Sequence, residues 1–114
     1  MFRCADFLDG FLRIVAKVVC DQILRSSLSV GANYRAVCRA KSDKDFISKM
    51  KIVEEECDET VYWLEIIEEA CLLPEVDVAP LKKEANELVA MIVASIKTKS
   101  YNLESENNRK LKKS

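Results

Sequence analysis

The chain has no histidine. A Ser–His or Cys–His nucleophile pair therefore cannot form within one copy, because no imidazole is there to take the nucleophile's proton. The Glu-x-x-His pattern that builds metal sites in helical bundles is excluded for the same reason. Glycine is almost absent: only Gly10 and Gly31 occur, and no glycine-rich phosphate loop can be built from them. Proline is as rare, at Pro74 and Pro80. So few chain breakers predict long helices and few turns. No run approaches the roughly 18 apolar residues of a membrane span. Phe11–Cys20 is apolar but carries Arg13 and Lys17, and no small-residue cleavage site follows it.

What is present fits one helical domain of 114 residues, 49% apolar and 32% charged. A bundle this small buries a modest share of its surface, so association with further copies would add burial. The five cysteines, at 4, 20, 38, 57 and 71, form no C-x-x-C pair and lie beside apolar neighbours. They read as small core residues of a reduced, cytoplasmic chain, with no zinc site.

Leu8, Leu12, Val15, Val19, Ile23, Ser26, Val30, Asn33 and Val37 recur at steps of three and four, which makes a helical seam. Ser42 is placed to cap a second helix by accepting from the amide of Asp45. That helix carries Phe46, Met50, Val53, Cys57, Thr60, Leu64, Ile67 and Cys71, with a second apolar stripe through Ile47, Val61, Trp63 and Ile66. A helix apolar on two sides needs two partners. Leu81, Ala85, Leu88, Ile92 and Ile96 mark a third helix, for which Asp77 is a candidate cap and Pro80 suits the first turn. The expected helices lie near 10–40, 43–73 and 79–99. Residues 1–100 form the bundle domain, and 101–114 read as a polar, basic, flexible tail.

Charge is segregated along the chain. Residues 1–53 hold ten basic and five acidic residues, 54–96 hold two and twelve, and 97–114 hold six and two. Such asymmetry can steer a partner or a second subunit. Glu54, Glu55, Glu56, Asp58 and Glu59 read as a solvated face rather than a metal site, and no cofactor is expected. Arg25 falls opposite Glu56–Glu59 once the first two helices pair antiparallel, which favours a structural ion pair over a ligand contact. Asn33, on the seam, suits a register-fixing polar group. Tyr62 and Trp63 sit among acidic residues and suit a core or subunit interface better than base stacking. Tyr34, Arg35, Arg39, Lys41 and Lys44 cluster at the first joint, where they form either a solvated corner or a surface that holds a phosphate backbone and stacks a base.

The wording LRSS-x-SVGANYRAVCRAKS, then KDFISKM, EEECDETVYWLE and PLKKEANELVAMIVASIKT, resembles a small four-helix-bundle family. That family includes the proteins encoded in intervening sequences of bacterial 23S ribosomal RNA genes. The accessory variability proteins of diversity-generating retroelements are related to it. The resemblance implies an all-α, up-and-down bundle that assembles as a homopentamer and is connected with RNA or a nucleic-acid enzyme such as a reverse transcriptase. Members usually carry a whole helix before the LRSS wording, but only twenty-one residues precede Gln22 here. The first helix is therefore expected to be missing or shortened: Asp9–Gly10 either breaks off a short remnant at Phe2–Leu8, or the subunit is a three-helix structure with an apolar groove where the lost helix would pack. The functional expectation is a non-catalytic, self-associating bundle that binds RNA or such an enzyme. The alternative is a scaffolding oligomer with no nucleic-acid contact.

Overall fold

The computed structural model describes residues 4–113, with the backbone alone described for residues 4 and 5. Three helices run up, down and up: α1 Cys4–Val37, α2 Asp43–Glu69 and α3 Glu75–Lys113. Among the described residues there is no strand. The fold is all-α, a bundle without a separate first helix. α2 lies in the middle and packs along both α1 and α3, whose backbones do not approach each other. This is what a helix apolar on two sides requires.

Two clusters fill the interior. Val37, Met50, Val53, Cys57 and Ile92 bring all three helices together near the first joint. Val19, Ile67 and Val78 do the same at the other end, with Trp63 and Leu72 against them. Ser26 is completely buried between them; its hydroxyl donates to the Ile23 carbonyl (3.3 Å) and accepts from Thr60 Oγ1 (2.8 Å). A hydroxyl held in this way avoids the penalty of an unpaired buried polar group.

The first seam holds from Val15 to Val37, but Leu8 and Leu12 are exposed. α1 does not break at Asp9–Gly10; it runs straight past the end of α2. Phe2 and Arg3 of the expected remnant lie outside the described residues. The third helix departs from expectation at both ends. It begins at Glu75, where Asp77 and Val78 donate their amides to the Pro74 carbonyl, so Pro80 sits inside the helix and Val78 joins the core. It also continues through the residues read as a loose tail. The stretch after Lys99 has no apolar stripe, but it has no glycine or proline either. Extending an existing helix costs far less than nucleating one, and Lys110 and Glu106 pair at 3.7 Å along it. The overhang of α1 at one end and of α3 at the other makes the molecule 81 Å long and 21 by 18 Å across.

The cysteines whose side chains are described are not a core set, and the side chain of Cys4 lies outside the described residues. Cys57 is buried, whereas Cys20, Cys38 and Cys71 are exposed free thiols. Cys38 and Cys71 follow helix ends, where no facing element covers them. Burial, with Asp58 nearby, pushes the Cys57 thiol's pKa up. At the end of α2, Leu72 donates its amide to the Ile67 carbonyl (3.0 Å) and Cys71 to the Glu68 carbonyl (3.2 Å), which closes the helix with Cys71 at φ 52°. That left-handed conformation favours glycine. Cys71→Gly is expected to stabilise the fold by about 0.5–1 kcal/mol, as relief of the strain exceeds glycine's entropy cost. Urea unfolding checks this, and a lower midpoint for the variant would contradict it.

Candidate nucleic-acid interface

The site residues predicted from sequence gather at one end of the molecule. Tyr34 and Arg35 lie on the last turn of α1, Arg39 and Lys41 on the corner, and Lys44 on the first turn of α2; all five are exposed. The corner is built locally. After Val37 the chain tightens: Arg39 donates its amide to the Ala36 carbonyl (3.1 Å) and Ala40 to the Val37 carbonyl (2.9 Å). Ser42 then takes an extended conformation and caps α2, its Oγ accepting from the Asp45 amide at 3.0 Å, as its position in the sequence predicts. Asp45 reaches back to accept the Lys41 amide at 3.0 Å. That bond, and then the Lys49 ammonium, hold the Asp45 carboxyl below its usual pKa.

Sequence reasoning missed Lys99. Its ammonium pairs with Asp43 (3.3 Å) and lies 5.4 Å from the centre of the Phe46 ring. Fifty-six residues separate Lys99 from Asp43, so no local pattern reveals the contact. From Lys99, α3 continues past this end of the bundle, and its last turns carry Arg109, Lys110, Lys112 and Lys113. Residues 106–113 are all exposed. A helix rising 1.5 Å per residue sets these cations roughly 15–20 Å beyond the joint. Corner and helix end together form a two-part basic surface. Its charge is offset at the corner by Asp43 and Asp45, which already hold Lys99 and Lys49.

Other charged residues hold the fold together. Arg25 donates to Glu56 (3.3 Å) and to Glu59, so the ion pair expected between α1 and α2 is present. Trp63 Nε1 also donates to Glu59 (3.2 Å), and the Trp63 ring meets Tyr62 edge to face at 5.0 Å. Trp63 is half-buried against the second core cluster, whereas Tyr62 is exposed. Arg25's hydrogen bond, followed by Trp63's, holds the Glu59 carboxyl below its usual pKa of 4.5. The stabilisation tied to this shift is complete above the unfolded value and is lost as pH falls through the lower folded one. The melting temperature of the wild type should therefore fall on acidification below about 4.5. Glu59→Gln should be less stable than the wild type at neutral pH and show a smaller acid-induced drop. An equal drop in both proteins would assign the acid sensitivity elsewhere.

Among the described residues no helix is long and apolar enough to cross a membrane. A search of curated proteins returns no match. Among solved structures, the chain is similar to a protein of unknown function from the S23 ribosomal protein family of Bacteroides thetaiotaomicron. The two share 35% identity with a TM-score of 0.67, over 70% of this chain and 74% of that one. Residues 11–94, which span the whole of α2 and most of α1, match the family described as 23S rRNA-intervening sequence protein. The chain belongs to the 23S rRNA-intervening sequence protein family.

Proposed function

We propose that this protein is a non-catalytic, self-associating helical module that contacts RNA through the basic end of the bundle. The observation that carries the reading is the presence of two basic groups at that end: Arg35, Arg39, Lys41 and Lys44 on the corner, and the cationic last turns of α3 projecting beyond it. Two separated clusters suit a nucleic-acid backbone, whose charges repeat along its length. Tyr34, half exposed beside the corner, adds a ring on which a base can stack. Family membership adds a connection with ribosomal RNA genes, and the free thiols fit a reduced cytoplasm. A nucleic-acid enzyme is the second partner class, and it would meet the same charges.

No base-reading motif accompanies the cations, so binding should depend on salt far more than on sequence. Titration of a labelled structured RNA at two salt concentrations tests this. Arg35→Ala/Arg39→Ala should lower affinity and flatten the slope of log K against log salt by about 1.5, at roughly 0.7–0.9 per lost phosphate contact. Helicity should not change, because both side chains are exposed. Equal affinity and slope for the two proteins would show the surface to be wrong. Absence of binding by either at low salt would favour a scaffolding oligomer. Solution mass separates the five-copy ring implied by the family resemblance from smaller assemblies.

A further inference from the structure

Charge is uneven along the part of α3 that passes the corner. Between Lys99 and Arg109 there is no lysine or arginine, and Glu104 and Glu106 make the stretch acidic. The same stretch is rich in neutral polar side chains: Ser100, Asn102, Ser105, Asn107 and Asn108. At 1.5 Å per residue it is about 15 Å long. Cations therefore stand at its two ends, on the corner and on the last turns of α3, with a polar gap between them. Asn102, Glu106, Lys110 and Lys113 follow Lys99 at steps of three and four, so they share its side of the helix. That side faces the end of the bundle, because the Lys99 ammonium reaches Asp43 on the first turn of α2 (3.3 Å). Asn102, Glu106, Lys110 and Lys113 are all exposed.

A single strand fits this pattern poorly. It carries one phosphate per roughly 3.4 Å, so a strand laid from the corner to the helix end would set about four phosphates against the acidic gap. It would also call for aromatic rings interleaved with the cations. Tyr101 is the aromatic of the gap, and it falls about 160° round the helix from Lys99. A duplex presents its charge differently. Its two backbones run either side of a groove, so two rows of phosphate flank a strip that holds none. In A-form RNA the minor groove is wide and shallow, and the strip is lined by 2′-hydroxyls. Amide and carboxylate side chains hydrogen-bond hydroxyls: the amide donates or accepts, and the carboxylate accepts.

We propose that the ligand of the basic end is double-stranded RNA, held with its minor groove over the Asn102–Asn108 stretch, one strand on the corner cations and the other on the end of α3. This deepens the RNA reading above and rests on it. Asn102 and Glu106 then meet 2′-hydroxyls, while Lys110 and Lys113 meet phosphate. Glu106 is steadied for this by Lys110, 3.7 Å away on the next turn. A DNA duplex has no 2′-hydroxyl to donate to Glu106. The carboxylate then keeps its repulsion of the phosphates on either side and gains nothing, so the residue that accepts RNA also works against DNA. Shape and hydroxyls select the ligand class, and no base is read.

Titration of the full chain with three labelled ligands of one sequence tests this: an RNA duplex of about 20 base pairs, the matching DNA duplex and the single RNA strand. The RNA duplex should bind about tenfold or more tightly than either competitor at the same salt. Asn102→Ala should lower affinity for the RNA duplex without changing its salt slope, since no phosphate contact is lost. Glu106→Gln keeps an acceptor and removes the charge, so it should narrow the preference over DNA about threefold or more by raising affinity for the DNA duplex. Both side chains are exposed, and circular dichroism should show unchanged helicity. Equal affinity for the two duplexes, or a preference that survives both variants intact, overturns the proposal. So does tighter binding of the single strand, lost in Tyr34→Ala, which would assign the site to base stacking at the corner and leave RNA contact standing. Binding of none of the three at low salt removes the RNA reading and this one with it.

Discussion

Ile92→Ala is expected to lower the free energy of unfolding by about 2–5 kcal/mol. Ile92 is 3% exposed and is the buried α3 residue of the cluster that includes Val37, Met50, Val53 and Cys57. α1 and α3 do not pack on each other, so α3 is held by its contacts with α2 and by the side chains that reach this cluster. Losing three carbons there removes transfer free energy and leaves a cavity that straight helices close poorly. Small domains have about 5–15 kcal/mol in total, so the loss is a large fraction of what is available. Urea unfolding should show a lower midpoint at a similar slope. Met91→Ala, one residue away and 66% exposed, is the control and should change stability by no more than about 0.5 kcal/mol. Equal effects would mean that α3 is not docked through Ile92.

The largest effect on RNA should come from neutralising the end of α3. Arg109, Lys110, Lys112 and Lys113 all lie in exposed helix, and Lys110 pairs with Glu106, an exposed neighbour on its own helix. Changing all four to glutamine should flatten the salt slope by about 3, twice the effect of the corner pair, at roughly 0.7–0.9 per phosphate contact. Affinity at low salt should fall at least a hundredfold. The bundle should keep its melting temperature to within a few degrees, because these residues touch neither core cluster. If the slope stays the same, RNA does not reach the α3 overhang and the corner must act alone.

The core was readable where partners are sequential. Steps of three and four put Val19, Ser26 and Val37 on one face, and all three are buried. The Ser42 cap follows from a side chain and an amide three residues apart. The Arg25–Glu59 pair was readable because an antiparallel hairpin converts distance from the joint into position along the partner helix. Periodicity failed for Leu8, Leu12, Leu81 and Leu88, which lie on the seams and remain exposed. A seam shows that residues share a face; it does not show that another element reaches that face. The third helix was drawn too short because its start was placed by Asp77 as a cap and Pro80 in the first turn, whereas both lie inside the helix, and its end was judged by the apolar stripe, although no glycine or proline follows Lys99.

The sequence by itself determined three long helices, the Ser42 cap, the α1–α2 hairpin, the cations of the corner and the family, because each rests on contacts or wording within a few turns of chain. Tertiary structure alone decided how far each helix outruns its neighbours. It also set Lys99 against Asp43, exposed three thiols, and left a groove beside α1 with an apolar helix end projecting next to it. The physical reason is that helix propagation is local and continues until a breaker stops it, whereas burial depends on which distant segment lies alongside.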